Sequence, residues 1–61
     1  KDTDLPVLYE DIAFRLCDDL SKQDDLKLSL EYYHLARELY SNSTDIKRCE
    51  IGMDYVQFYM D

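Results

Sequence analysis

Apolar residues recur at intervals of three and four positions over three stretches of the chain, separated by polar segments near residues 21–25 and 41–44. This spacing is typical of amphipathic α-helices, and a single Gly and a single Pro leave little of the turn chemistry that joins strands. The pattern predicts helices over about residues 5–21, 25–40 and 45–60. Because short loops join helices that pack antiparallel, the predicted fold is all-α, a compact three-helix bundle.

The first predicted helix has one strongly apolar face. Asp4 or a neighbour is expected to cap it, and Pro6 is tolerated in the first turn, where amide hydrogens lack partners. The face assigned to the core, with Ala13 at its edge, comprises Leu5, Leu8, Tyr9, Ile12, Leu16 and Leu20. Val7 and Phe14 fall on the opposite side, among the acidic residues Glu10, Asp11 and Asp18, and are expected to be exposed.

The second predicted helix has an apolar sector wide enough to touch two neighbours, which makes it the central helix. The sector comprises Leu28, Tyr32, Tyr33, Leu35, Ala36, Leu39 and Tyr40. Glu31, His34 and Glu38 form the remaining face, towards water.

The third predicted helix carries two apolar stripes. The seam assigned to the core comprises Ile46, Cys49, Met53, Val56 and Met60, and the hydroxyls of residues 41–44 are expected to cap this helix. Ile51, Tyr55 and Phe58 form a second stripe at the i, i+4, i+7 spacing of helix-in-groove contacts, and aromatic residues are typical interface anchors. Val7 and Phe14 are a second candidate patch for a partner. The alternative is that the helix rotates to bury Tyr55 and leaves Met60 outside.

Charge and length both favour a protein partner. The 61 residues have a formal net charge of −7, and the only adjacent basic pair is Lys47-Arg48, so a nucleic-acid surface with clustered cations is not expected. An amphipathic, basic helix is the expected partner, although the charge also serves to keep a small apolar-rich domain soluble. A core of this size gives only about 3–5 kcal/mol, which a bound partner would supplement.

The sequence predicts neither catalysis nor a metal or cofactor. His34 lies beside acids with no nucleophile at its spacing, and with Cys17 and Cys49 it has no metal-ligand spacing. The two cysteines are expected to be reduced, and the sequence has neither an apolar run of membrane-spanning length nor an N-terminal signal peptide pattern. These features favour an intracellular protein. The chain is expected to be one domain, residues 1–61, excised from a longer protein because it begins at Lys1 rather than Met.

The stretch from Leu28 to Gly52 resembles the C-terminal protein-interaction domain of the repressor-activator telomere proteins. In that family a helix with spaced leucines and an alanine leads to a loop of the type Asn-Ser-x-acidic-aliphatic and then to another helix. The corresponding residues here are Leu28, Leu30, Ala36 and Asn42-Ser43-Thr44-Asp45-Ile46. The resemblance implies a nuclear adaptor without catalysis, which captures a helical segment of a partner such as a telomere-repeat-binding protein, in a groove between the first helix and its neighbours.

The chain is also similar to one and a half tetratricopeptide repeats. The matching blocks are Leu16-Cys17-x-x-Leu20, Ser29-x-x-x-Tyr33-x-x-Ala36 and Ile51-Gly52-x-x-Tyr55, although Ala13 stands where the repeat has a large apolar residue and no proline closes it. This resemblance implies a peptide-binding fragment in the cytoplasm.

The primary hypothesis is therefore a non-enzymatic module that binds a short helical segment of another protein. Two further hypotheses stay open. One is an inhibitor that mimics nucleic acid with the carboxylates of Asp18, Asp19, Asp24 and Asp25, and the other is a domain that self-associates through the second stripe of its third helix.

Overall fold

A computed structural model describes residues 4–60 of the chain. Three α-helices lie in this range, namely α1 (Leu5–Leu16), α2 (Gln23–Leu39) and α3 (Ser43–Tyr59). α2 packs against both α1 and α3, whereas α1 and α3 make few direct contacts with each other. The prediction of an all-α three-helix bundle with the second helix in the centre is confirmed.

Contacts between the helices fix their directions. Gln23, at the start of α2, donates a hydrogen bond to the carbonyl of Tyr59 at the end of α3, and Arg37 near the end of α2 pairs with Glu50. α2 and α3 are therefore antiparallel. Tyr40, at the end of α2, contacts Glu10 of α1, whereas the earlier Ser29 contacts the later Ala13, so α1 and α2 are antiparallel too. α1 and α3 therefore run in the same direction.

The first helix ends five residues earlier than predicted. The amide of Asp18 donates to the carbonyl of Arg15, which tightens the last turn. The carboxylate of Asp19 then accepts hydrogen bonds from the backbone amide and the hydroxyl of Ser21, at 3.0 and 2.7 Å. Such local bonds offer the backbone an alternative to helix, so residues 17–22 form a turn and Leu20 lies outside α1.

Helix capping differs in detail from the prediction. Asp4 occupies the N-cap position of α1, but its side chain makes no capping hydrogen bond. For α3 the cap is the amide oxygen of Asn42, which accepts from the backbone of Thr44 at 2.8 Å, rather than a hydroxyl. Backbone amides in the first turn of a helix have no carbonyl partner within the helix, and a side-chain oxygen at the N-cap position accepts a hydrogen bond from one of them.

The core consists largely of small side chains. Its buried members are Ala13, Cys17, Leu26, Ser29, Tyr33, Ala36, Cys49 and Val56. Small residues at a helix crossing let the backbones approach closely, as the 2.6 Å hydrogen bond from the Ser29 hydroxyl to the Ala13 carbonyl illustrates. The larger apolar residues therefore lie around the crossing rather than at its centre.

Several leucines assigned to the core are exposed instead. On α1 these are Leu5 and Leu8, and on α2 they are Leu28, Leu35 and Leu39. The core face of α2 is a narrow stripe through Leu26, Ser29, Tyr33 and Ala36 rather than the predicted wide sector. On α3 the assigned seam is confirmed, since Cys49 and Val56 are buried and Met53 and Met60 pack against the core.

Candidate functional site

An open groove of about 720 Å³ lies between α1 and α3. It exists because the two helices flank α2 while making few contacts with each other. α1 and the turn after it contribute Val7, Glu10, Asp11, Phe14, Cys17 and Asp18; α2 contributes Tyr33; α3 contributes Arg48, Ile51, Gly52 and Tyr55. The lining is mostly apolar, with charged groups at defined positions.

The groove walls contain four of the five residues that the sequence singled out for partner contact. Val7 and Phe14 lie on the α1 wall and are 56% and 69% exposed, and Ile51 and Tyr55 lie on the α3 wall. The structure thus brings together two patches that are remote in sequence. Phe58 is exposed as well, but it lies outside the groove lining, with its ring edge-on to that of Tyr59 at 5.1 Å.

The groove floor depends on a glycine. A β-carbon at Gly52 would lie 2.6–3.0 Å from three ring atoms of Tyr33, closer than real side-chain contacts allow. The absence of a side chain lets α3 approach the Tyr33 ring, which is 5% exposed. Burial raises the pKa of the Tyr33 hydroxyl to about 12, so it is neutral at physiological pH. The bottom of the groove is therefore closed by Tyr33 and Cys17, both of which are buried.

A polar cluster connects the groove walls beside Val7. Arg48 of α3 donates two hydrogen bonds to the carboxylate of Glu10 on α1, one of them at 2.8 Å. The same carboxylate accepts a hydrogen bond of 2.7 Å from the Tyr40 hydroxyl, and Arg48 also pairs with Asp45 at 2.9 Å. We call these four residues, Glu10, Tyr40, Asp45 and Arg48, the clasp.

The clasp shifts the pKa values of its members. The hydrogen bond from Arg48 lowers the pKa of the Glu10 carboxyl below its ordinary value of 4.5, although partial burial acts in the opposite direction. The carboxylate of Glu10 raises the pKa of the Arg48 guanidinium. Burial, and then the bond to Glu10, raise the pKa of the Tyr40 hydroxyl to about 12. At neutral pH the clasp is therefore a fixed ion pair with a neutral tyrosine donor.

Two further carboxylates lie along the α1 wall. Asp11 pairs with Arg15 one turn later on α1, at 3.0 Å. The Asp18 carboxylate has no hydrogen bond or ion pair with any residue in the range 4–60, although the Asp18 backbone amide donates to Arg15. The groove thus presents one uncompensated negative charge at its edge, next to Phe14 and Cys17.

Other residues that the sequence singled out lie elsewhere. His34 is exposed on the outer face of α2 with Glu31 and Glu38, as predicted. Cys17 and Cys49 are both buried free thiols, and burial raises the pKa of the Cys49 thiol. A buried thiol with a raised pKa is a poor nucleophile, so Cys49 contributes packing, and Cys17 is likewise buried in the core.

Sequence reasoning missed the floor and the clasp. Arg48, Tyr40 and Glu10 pair over 30 to 38 residues of chain, and no local pattern reports such a pairing. Gly52 did leave a signal, because an isolated glycine inside a helical pattern often marks a close approach of another group. Its position in the tetratricopeptide-like block drew attention to the residue but not to its contact with Tyr33.

A scan against protein-family models and searches of curated proteins and of solved structures return no match for this chain. The resemblances to the telomere-protein domain and to tetratricopeptide repeats therefore stay predictions. Among residues 4–60, no helix has the length and apolar character that crossing a membrane requires.

Proposed function

We propose that this domain is a protein-interaction module that binds one short amphipathic, basic helix in the groove between α1 and α3. The observation that carries the proposal is that Val7, Phe14, Ile51 and Tyr55, all substantially exposed, face one concave surface. Exposed apolar groups gathered in one groove are typical of sites that bind partners.

The dimensions of the groove suit a helix of about two turns. Its α3 wall extends from Arg48 to Tyr55, which is about 10 Å along the helix axis. A bound helix would place apolar residues at i, i+3 or i+4, and i+7 against the two walls. The aromatic rings would supply most of the affinity, because anchors of this kind dominate interface energetics.

Charge complementarity favours a basic partner. The chain has a net charge of −7, and the acidic residues Asp11 and Asp18 lie on the α1 wall. The cation in the lining, Arg48, is already held by Glu10 and Asp45. A basic helix would therefore associate quickly through long-range attraction, whereas an acidic one would be repelled.

Two sequence resemblances agree with this class of function. Both the telomere-protein interaction domain and tetratricopeptide repeats bind segments of other proteins, and we extend that role to this chain as part of the proposal. Capture of a telomere-repeat-binding protein, which would bring the complex to chromosome ends, is the more specific form of the hypothesis, and it rests on the residues of the Leu28–Gly52 stretch alone.

The proposal is tested by selecting helical peptides that bind the 61-residue domain from a phage-display library. The selected peptides are then titrated into isotopically labelled protein and followed by amide NMR spectra. We expect selected peptides to share apolar residues at helical spacing together with Lys or Arg. Their binding should shift the amide signals of Val7, Phe14, Ile51 and Tyr55. Peptides that bind without perturbing these amides would contradict the proposal.

Matched variants sharpen this test. Tyr55→Ala removes a wall residue and should weaken binding about tenfold, the loss typical of an interface anchor. Phe58→Ala removes an even more exposed aromatic residue of the same helix that does not line the groove, and it should change affinity by less than about twofold. Equal effects of the two substitutions would argue against the groove as the binding surface.

The rival hypotheses predict different results. A nucleic-acid mimic would bind a nucleic-acid-binding protein through Asp18, Asp19, Asp24 and Asp25 and would tolerate loss of Tyr55. A self-associating domain would show a mass in sedimentation equilibrium that rises with concentration.

A further inference from the structure

The carboxylates on and around the groove differ in their hydrogen-bond and ion-pair partners. Glu10 is bound by Arg48 and Tyr40, and Asp11 is bound by Arg15. The carboxylate of Asp19, in the turn after α1, accepts a hydrogen bond from the Ser21 hydroxyl. Asp18 is the groove-lining carboxylate for which no partner exists among residues 4–60.

Helix direction adds to this asymmetry. α1 and α3 run in the same direction, so the end of the groove beside Val7 and Arg48 lies towards their N-termini, and the end beside Asp18 lies just beyond the C-terminus of α1. Helix N-termini carry partial positive charge and C-termini partial negative charge. The positive end of α2 also lies near Asp18, but Asp24 and Asp25 in its first turn offset it. The groove therefore has an unpaired carboxylate at the Asp18 end, whereas at the clasp end Arg48 pairs with both carboxylates, Glu10 and Asp45.

A helix entering this groove has a preferred direction. Its N-terminal turn carries unpaired amide hydrogens and the positive end of its own dipole. Both are stabilised beside a free carboxylate and beside the carbonyl end of α1. At the opposite end, the carboxylates of Glu10 and Asp45 are both paired with Arg48, so neither is free to accept from the partner helix.

We propose that the partner helix lies antiparallel to α1 and α3, with its N-terminal turn beside Asp18, and that Asp18 sets this direction. The inference rests on the proposed function of the groove and adds to it the polarity of the bound segment. It follows from the position of one unpaired carboxylate, the paired state of Glu10 and the parallel arrangement of α1 and α3.

The test uses the tightest peptide recovered in the selection above, carrying a nitroxide spin label at either its N-terminus or its C-terminus. The N-terminal label should broaden the amide signals of Asp18 and Asp19, and the C-terminal label should broaden those of Val7 and Lys47. The reversed pattern, or equal broadening at both ends, would overturn the inference.

A charge variant supplies a second measurement. Asp18→Asn should slow peptide association about threefold at low salt, and the difference should shrink in 0.5 M NaCl, because salt screens exposed charges. The control is Glu31→Gln, which removes an equal charge from the exposed outer face of α2, outside the groove lining. Equal association rates for the two variants would overturn the role of Asp18.

Failure of this inference is distinguishable from failure of the proposed function. If Tyr55→Ala weakens binding but the spin labels report the reversed direction, the groove remains the binding site and only the polarity is wrong. If no selected peptide perturbs the groove amides, the proposed function and the inference are both wrong.

Discussion

Arg48 and Glu10, which are 38 residues apart in the chain, form a doubly hydrogen-bonded ion pair across the interface between α3 and α1. The two helices make few other direct contacts, and the pair is reinforced by the Tyr40 hydroxyl at the end of α2. The clasp therefore joins all three elements at one end of the groove and leaves the other end open.

The clasp should make stability depend on pH. Because the pKa of Glu10 is lower in the folded than in the unfolded protein, its contribution is present above about pH 4.5 and is lost as the pH falls through the folded pKa. We expect Glu10→Gln to reduce the free energy of unfolding by about 1 kcal/mol at pH 7, the upper range for a partly exposed pair, and by less at pH 3. Urea titrations followed by circular dichroism would measure both values.

The control for the clasp is Glu31→Gln, at an exposed carboxylate on the outer face of α2. This variant should match the parent protein at both pH values. An equal cost of Glu10→Gln at pH 7 and at pH 3 would show that the substitution acts through packing rather than through the ion pair.

Gly52→Ala should destabilise the domain although alanine favours helix. The gain in helix propensity is about 1 kcal/mol, but the added methyl group would overlap the Tyr33 ring, and overpacking typically costs about 1–3 kcal/mol. We expect a net loss of about 1 kcal/mol in chemical denaturation. In a Tyr33→Leu background the overlap is removed, and Gly52→Ala should then be neutral or stabilising. A gain in stability in both backgrounds would disprove the close contact.

Ser29 provides a probe of the α1–α2 crossing. Its hydroxyl is fully buried and donates to the Ala13 carbonyl, which also accepts from the Cys17 amide. Ser29→Ala should cost about 1 kcal/mol, since the carbonyl keeps its second partner. Ser29→Val should cost more, about 2 kcal/mol, because the larger side chain separates the helices. Thermal unfolding would rank the two variants, and equal stabilities would contradict the tight crossing.

The two thiols should react at different rates. Cys49 is fully buried with a raised pKa, whereas Cys17 is 8% exposed at the groove floor. In native protein treated with iodoacetamide, we expect Cys17 to be modified first and Cys49 only as the domain unfolds, as quantified by peptide mass spectrometry. In concentrated guanidinium the two rates should converge. Faster native modification of Cys49 would contradict the packing of α3.

Much of the fold could be predicted because helical periodicity is a local property. The three helices, the central role of α2 and the exposure of Val7, Phe14, Ile51 and Tyr55 all follow from the spacing of apolar residues. The buried seam of α3 was also predictable, since Cys49 and Val56 lie on its most continuous apolar stripe.

The direction in which a helix faces the core was harder to predict. Hydrophobicity favours leucine over alanine, so the sequence assigns Leu5 and Leu8 to the core, yet the buried residues are Pro6 and Ala13 on α1 and Cys17 directly after it. Close packing selects small side chains at the crossing, and their hydrophobic signal is weak. The end of α1 was missed for a similar reason, because the turn formed by Asp19 and Ser21 competes with a helical pattern that continues to Leu20.

The open side between α1 and α3 has a consequence for how the domain would behave in a complex. With a helix bound there, the assembly would have the architecture of a four-helix bundle in which one helix belongs to another polypeptide. Folding and recognition would then be linked, because a ligand at one hundred times its Kd stabilises the state that binds it by about 2.7 kcal/mol. That increment is comparable to the stability of so small a core. The partner helix would therefore stabilise the folded state of this domain as a fourth structural element.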